Sequence, residues 1–305
     1  MDWKFEKVAG PGASPIEGLA WNGSALYFSE TEKDNILRFD PKTGETTVAR
    51  RYMNKPAGLA FSPKGEFFVC QQLSRRIIRL NPDGSATAMT YRFEGMPYHD
   101  SFHNMPKHIT VDVLGRIWFS DPMHKLLAVG PPLPYSGKQS VLRLEQRPEH
   151  SWVLKRAVSD TTHPAGVAVS HDAKTLYVAN KGSETSDLRA YSISEDGELG
   201  QYMTLLTFGS DYRGPHRGVD GICLDADGNI VACAGSSDAG AGPAIYVIAP
   251  SGRVLDFQAV PSARPIHCAF GGSDMATLFV STQAGELFQV KDTGRRGKAL
   301  RARTA

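Results

Sequence analysis

Five side chains at recurring positions carry reactive groups: the carboxylates of Glu17 and Asp220, the ammonium of Lys107, and the imidazoles of His108 and His267. A carboxylate or imidazole held beside water takes its proton, and an ammonium stabilises nearby negative charge, so the set contains the groups of acid–base chemistry. The same acids with a nearby imidazole also suit a divalent ion. Taken singly, each residue has a plainer explanation. An acid facing water with Lys107 to neutralise it is satisfied, and so is a histidine used as hydrogen-bonded filler.

What separates these residues from ordinary polar positions is the repeat that carries them. A residue followed by Gly and an apolar–small–apolar run begins six phrases: Glu17-Gly18-Leu19-Ala20-Trp21, Ala57-Gly58-Leu59-Ala60-Phe61, Lys107-His108-Ile109-Thr110-Val111, Ala165-Gly166-Val167-Ala168-Val169, Asp220-Gly221-Ile222-Cys223-Leu224 and Ile266-His267-Cys268-Ala269-Phe270. In the third and sixth, histidine stands where the others have glycine. The starts lie 40, 50, 58, 55 and 46 residues apart, the length of one four-stranded blade with variable loops. Turns such as Ser62-Pro63-Lys64-Gly65 and Asp225-Ala226-Asp227-Gly228 follow, then second strands such as Ile117-Trp118-Phe119-Ser120 and third strands such as Ile77-Ile78-Arg79-Leu80. No segment sustains the 3.6-residue period of a helix. The pattern predicts an all-β chain, a single-domain six-bladed β-propeller over residues 1–292, with a solvated basic tail over 293–305. The last phrase has strands for only part of a blade, so Trp3-Lys4-Phe5-Glu6-Lys7-Val8 is expected to pair with it and close the ring, which removes an exposed edge.

In such a ring the innermost strands all start at one end of the central channel. Glu17, Ala57, Lys107, Ala165, Asp220 and Ile266 then converge at one mouth, with His108 and His267 beside them. Buried charges are costly unless paired or bound to metal, so this grouping points to a working site. If the two acids crowd each other for the sake of function, Glu17→Gln or Asp220→Asn is expected to abolish activity while stability holds or rises. The loop from Met96 to Asn104, rich in aromatic and imidazole groups, is expected to overhang the mouth as a lid, with His103 and Asn104 binding substrate. His163, His216, Arg217 and His267 are further candidates for substrate binding, Arg217 through a carboxylate or hydroxyls.

Composition narrows the partners. Lys and Arg number 34 against 32 Asp and Glu, a net charge of +2, which gives no field for nucleic acid or a membrane surface and favours a small-molecule substrate. Cys70, Cys223, Cys233 and Cys268 lie far apart, three of them within apolar runs, and read as buried free thiols. With no apolar targeting segment at the start and no apolar stretch of spanning length, the expected location is the cytoplasm.

Several phrases, taken in order, resemble the gluconolactonase and regucalcin family (senescence marker protein, LRE-like). They are Ile16 to Trp21, Asn104-Met105-Pro106 with Phe119-Ser120-Asp121-Pro122, Ala165 to Val169 with Leu176-Tyr177-Val178-Ala179, Asp220-Gly221 with Asp225 to Asn229, and Ala269-Phe270-Gly271-Gly272. The resemblance implies a six-bladed propeller that hydrolyses sugar lactones with a divalent metal, often calcium, in the channel, and it implies Glu17 and Asp220 as metal ligands. Where the family has a fourth-blade asparagine this chain has Ala165, and where it has a third-blade Asn-Asp pair this chain has Lys107-His108. Calcium, which takes about six to eight oxygens, is weakened by that exchange. Zinc, manganese or iron held by Glu17, Asp220 and an imidazole of His108, His163 or His267 stays open, as does Lys107 in place of any metal. The expected activity is opening of a lactone or similar cyclic ester, metal-assisted, with Asp220, Lys107 and His108 catalytic and Asp220 or His108 the base. The alternatives are other ester or phosphotriester hydrolysis, metal-free catalysis using Lys107, and a non-catalytic ligand-binding propeller.

Overall fold

Short apolar runs cut by Gly, Asp and Pro turns become strands throughout the computed structural model, which describes residues 2–12, 14–90, 103–123, 138–147, 149 and 151–299. Among the described residues six four-stranded antiparallel sheets form, five of them from consecutive strands, with one small two-stranded ribbon at Ser210–Asp211 and Gly214–Pro215. The first blade shows the plan: Ile16–Trp21 innermost, then Leu26–Glu30, Asn35–Asp40 and Glu45–Arg51 outermost. The other inner strands are Pro56–Phe61, Ile109–Val111, Pro164–Val169, Val219–Leu224 and Pro265–Gly271. In the sixth blade the outer strand is the N-terminal Glu6–Ala9, paired with Leu287–Val290, so the ring closes as the sequence predicts. All four cysteines are free thiols. No helix among the described residues is long and apolar enough to cross a membrane.

The core lies between blades rather than within one. Ile16, Leu19, Leu26 and Phe28 of the first blade pack on Phe279 and Leu287 of the sixth. Each such fully buried side chain contributes roughly 1.5–3 kcal/mol. This stacking makes the ring rigid and fixes the inner strand starts relative to one another. The glycine of the repeat phrase serves the same closeness: a Cβ on Gly18 would lie 2.2 Å from the Ala57 carbonyl oxygen of the next blade, and one on Gly58 would lie 2.4 Å from that of Lys107.

The tail departs from expectation. Residues 293–299 are docked rather than solvated: Arg295 pairs with Asp225 at 2.8 Å, the Ala226 amide donates to the Arg296 carbonyl, and the Gly297 amide to that of Met275. Asp225 is almost fully buried, so a basic residue beside it is needed to neutralise it, and the tail supplies one.

Candidate functional site

A β-bulge at the start of five inner strands aims the repeat's leading residues into the channel. Register slips between Ile16 and Leu19, Pro56 and Leu59, Pro164 and Val167, Val219 and Ile222, and Pro265 and His267. An extra residue at this point re-aims its side chain away from the sheet face. The consequence is one polar cluster at one mouth. Lys107 Nζ lies 3.5 Å from Glu17 Oε2, an ion pair too long to be a strong hydrogen bond. Asp220 is held by cations on both oxygens: Lys181 Nζ donates to Oδ1, while Arg264 Nε at 3.1 Å and Arg217 Nε at 3.3 Å donate to Oδ2.

Below this layer, the His108 and His267 rings stack with centroids 5.4 Å apart and planes within 14°. They come from the third and sixth blades, opposite each other across the ring, so the pair meets on the channel axis and floors the mouth. Both ring nitrogens of His108 and Nδ1 of His267 are buried without a hydrogen-bond partner among the described residues, as is Glu17 Oε2. Buried polar atoms left without a partner are costly, so a ligand or water reaching them would be held by them. Beyond the floor the channel widens into a cavity of about 520 Å³, lined largely by apolar groups such as Leu19, Leu59, Val167 and Ile222, and reached by the tail at Lys298. That larger space has none of the mouth's acid–cation pairs.

Burial and neighbours set the protonation states. Burial works to lower the Lys107 pKa, but the Glu17 and Asp220 carboxylates outweigh it and the pKa is raised, so the ammonium is firmly charged. Burial works to raise the Asp220 pKa, and Lys181, Lys107 and Arg217 reverse it, holding the carboxyl well below the usual range. Burial followed by the Lys107 charge pushes His108 well below its ordinary value, and burial lowers His267, so both imidazoles are neutral at pH 7. Lys181 is brought down to about 8, by burial first and by crowding from Lys107 and Arg217, with Asp220 opposing. Its amine is therefore expected to titrate near pH 8 while Lys107 keeps its proton. Following the two amines by NMR of isotope-methylated lysines across pH 6–11 checks this, and a Lys181 midpoint above 10 contradicts it.

The expected site residues separate into two groups. Glu17, Lys107, His108, Asp220, Arg217 and His267 come together. His163 lies beside them through its carbonyl, which accepts from the Lys181 amide, and its ring meets Gln139 at 3.1 Å. His103, Asn104 and His216 do not join the cluster. Asn104 is fully buried, donating from its backbone to Asp121 at 2.8 Å and from its side chain to the Asp121 and Lys138 carbonyls, so it secures a loop. His103 is also fully buried, 3.9 Å from Asp121 and with its pKa driven to about 3 by burial and Arg75. His216 stacks on Phe208 and accepts the Gly218 amide at Nδ1, which caps a turn. Of the expected lid, residues 96–102 lie outside the described residues. Asp220 is misjudged as a base: three cations occupy its oxygens and depress its pKa, so it anchors charge instead.

Lys181 and Arg264 are not found from the inner-strand phrases. Lys181 ends the second strand of the fourth blade, Thr175–Lys181, and antiparallel pairing of Pro164 with Asn180 brings that end back to the mouth. Arg264 immediately precedes the inner strand of the sixth blade.

The donor set does not fit the metal expected of it. Asp220 has no free oxygen, the position opposite Glu17 is Ala165, and ammonium and guanidinium groups stand where a divalent ion would need ligands. Among the described residues no group of three or more His, Cys, Asp or Glu side chains is arranged to hold a metal ion. Of the two acids in the cluster, Glu17 is the one with a carboxylate oxygen that has no hydrogen-bond partner among the described residues.

Residues 16–284 match the family described as the SMP-30/Gluconolactonase/LRE-like region. A gluconolactonase of Zymomonas mobilis is 25% identical over 287 residues, covering 87% of this chain and 75% of that one. A 6-deoxy-6-sulfogluconolactonase of Pseudomonas putida is 31% identical over 258 residues, covering 84% and 78%. The solved structure of a calcium-binding regucalcin from Agrobacterium tumefaciens superimposes with a TM-score of 0.75 over 100% of this chain and 99% of that one; at 14% identity this likeness concerns the fold. With its six blades, its mouth cluster and a match over most of its length, the chain belongs to the SMP-30/gluconolactonase/LRE-like family of lactone-hydrolysing enzymes.

Proposed function

We propose that this chain hydrolyses a sugar-derived lactone at the polar mouth of its channel, with lysine charge in the place of a metal ion. The observation that carries the reading is the open oxygen of Glu17 set 3.5 Å from the Lys107 ammonium above a floor of neutral imidazole. In this scheme Lys107 binds the lactone carbonyl oxygen and stabilises the negative charge that grows on it. Glu17 Oε2 takes a proton from a water oriented by an open ring nitrogen of His108, and the water oxygen bonds to the carbonyl carbon. Collapse of the tetrahedral oxyanion breaks the ring C–O bond, and the departing alkoxide takes the proton back from Glu17. The product is the open hydroxy acid. Support comes also from the lactonase names of the two sequence relatives.

Acid release from a panel of aldonolactones, corrected for spontaneous opening, tests the activity. A protein inert on every lactone would favour a ligand-binding propeller instead. The charge arrangement gives a second expected outcome. Prolonged treatment with EDTA leaves both activity and melting temperature unchanged, because no native-state metal binding is there to be lost. Inactivation that calcium or zinc restores, with a matching rise in melting temperature, would return the site to a metal-dependent scheme.

A further inference from the structure

We propose that the mouth is built for a lactone that carries an anionic substituent, a carboxylate or sulfonate away from the reacting carbonyl, bound by Arg217 and Arg264. This rests on the lactonase reading and names its substrate class. Four cationic side chains, Lys107, Lys181, Arg217 and Arg264, meet only the two acids Glu17 and Asp220 in the cluster. With both floor histidines neutral, the cluster carries a surplus of two positive charges. A neutral sugar lactone offers nothing to balance it, whereas a monoanion offsets part of it.

The arginine geometry says where the anion belongs. Each guanidinium is fixed by its Nε against buried Asp220, which spends one edge of the fork and pre-orients the rest. Arg264 gives Nη1 to Gln283 at 2.9 Å, and Arg217, 35% exposed, has no hydrogen bond from either Nη among the described residues. An Arg217 Nη1/Nη2 edge held at the rim suits the two oxygens of a carboxylate or sulfonate. Asp220 thus orients the reader without itself touching the anion. In this arrangement the anion is read by the arginines, and the reacting carbonyl is left to Lys107 and Glu17, which pair with each other rather than with Asp220's oxygens.

Specificity constants for gluconolactone and for the same lactone ending in a carboxylate or a sulfonate at carbon 6 test this. The anionic substrates are expected to be preferred by about tenfold or more, and the preference to shrink as salt rises from about 0.02 to about 0.5 M. Arg217→Met is expected to cut the anionic-to-neutral ratio at least about tenfold through KM, with Arg217→Lys intermediate because charge survives but the fork is lost. Equal or better use of the neutral lactone, or a ratio unmoved by Arg217→Met, overturns the proposal. Titration calorimetry with glucuronate and glucose, neither of which contains a lactone, separates the two readings. Glucuronate binding that Arg217→Met removes, in a protein inert on all lactones, upholds the anion site and sinks the hydrolase. Indistinguishable binding of the two sugars, beside ordinary lactone hydrolysis, does the reverse. Comparing the carboxylate and sulfonate lactones then tells which anion the edge fits.

Discussion

Lys107→Met is expected to lower kcat/KM for the preferred lactone by about a thousandfold, the scale of losing one fixed donor to a developing oxyanion. The loss should fall mainly on kcat, since the ammonium binds the charged tetrahedral state more strongly than the neutral carbonyl. Methionine keeps the length and apolar stem of lysine, so packing around position 107, whose side chain is only 9% exposed, is largely preserved. Removing the cation also leaves Glu17 without its ion-pair partner in a mostly buried position, so part of the loss falls on the water-activating step. Steady-state kinetics of both proteins on the preferred lactone read the loss and its split between kcat and KM. A variant within about fivefold of the parent would remove Lys107 from the chemistry and with it the metal-free scheme.

The architecture was legible because a propeller repeats its instructions. Six copies of one phrase averaged out the weakness of each, and the incomplete last copy with an orphan strand at Trp3–Val8 announced how the ring would close. The convergence of Glu17, Lys107 and Asp220 followed from strand phase alone. Their partners did not, for a geometric reason: in an antiparallel hairpin the end of the second strand returns beside the start of the first. The mouth therefore draws on second-strand ends as well, where Glu30, Gln71, Asp121, Lys181, Ser236 and Thr282 stand in this chain. Of these Lys181 is the one ammonium, so a search over that second ring of positions would have found it. Side-chain direction in loops was not legible. Asn104 and His216 lie next to mouth positions in sequence but turn into hydrogen bonds that hold their own loops. The charge of the tail likewise hid its role, because nothing local to Arg295 reveals the buried Asp225 seventy residues away.

Asp220→Asn is expected to destabilise the fold by about 3–5 kcal/mol, the cost of removing one partner from a buried ion pair, and to lower the melting temperature by roughly 5–10 °C. This reverses what crowding of like charges would give. Asp220 does not repel Glu17 across an empty space; it is the single anion holding Lys181, Arg217 and Arg264, with a side chain only 2% exposed. Asparagine keeps the shape and can still accept a hydrogen bond, but it leaves three cations confronting one another. The pH dependence distinguishes this account from ordinary loss of packing. Lys181 already has a folded-state pKa near 8 against an ordinary value of 10.5, and without Asp220 it falls further. Between the folded and unfolded values the unfolded chain binds more protons, so stability rises with pH through that window. In the variant the window opens below pH 8, and the deficit relative to the parent should be largest at pH 6 and shrink toward pH 9 as Lys181 sheds its charge. On the acid side the sign is opposite: the parent's Asp220 contributes stability above the ordinary carboxylate range that is lost as pH falls through its depressed folded pKa, and the variant lacks that loss. Melting curves of both proteins from pH 5 to pH 9 read the pattern. A variant as stable as the parent, or one whose deficit is the same at every pH, would mean that the cations find other partners and that Asp220 is not what holds the mouth together.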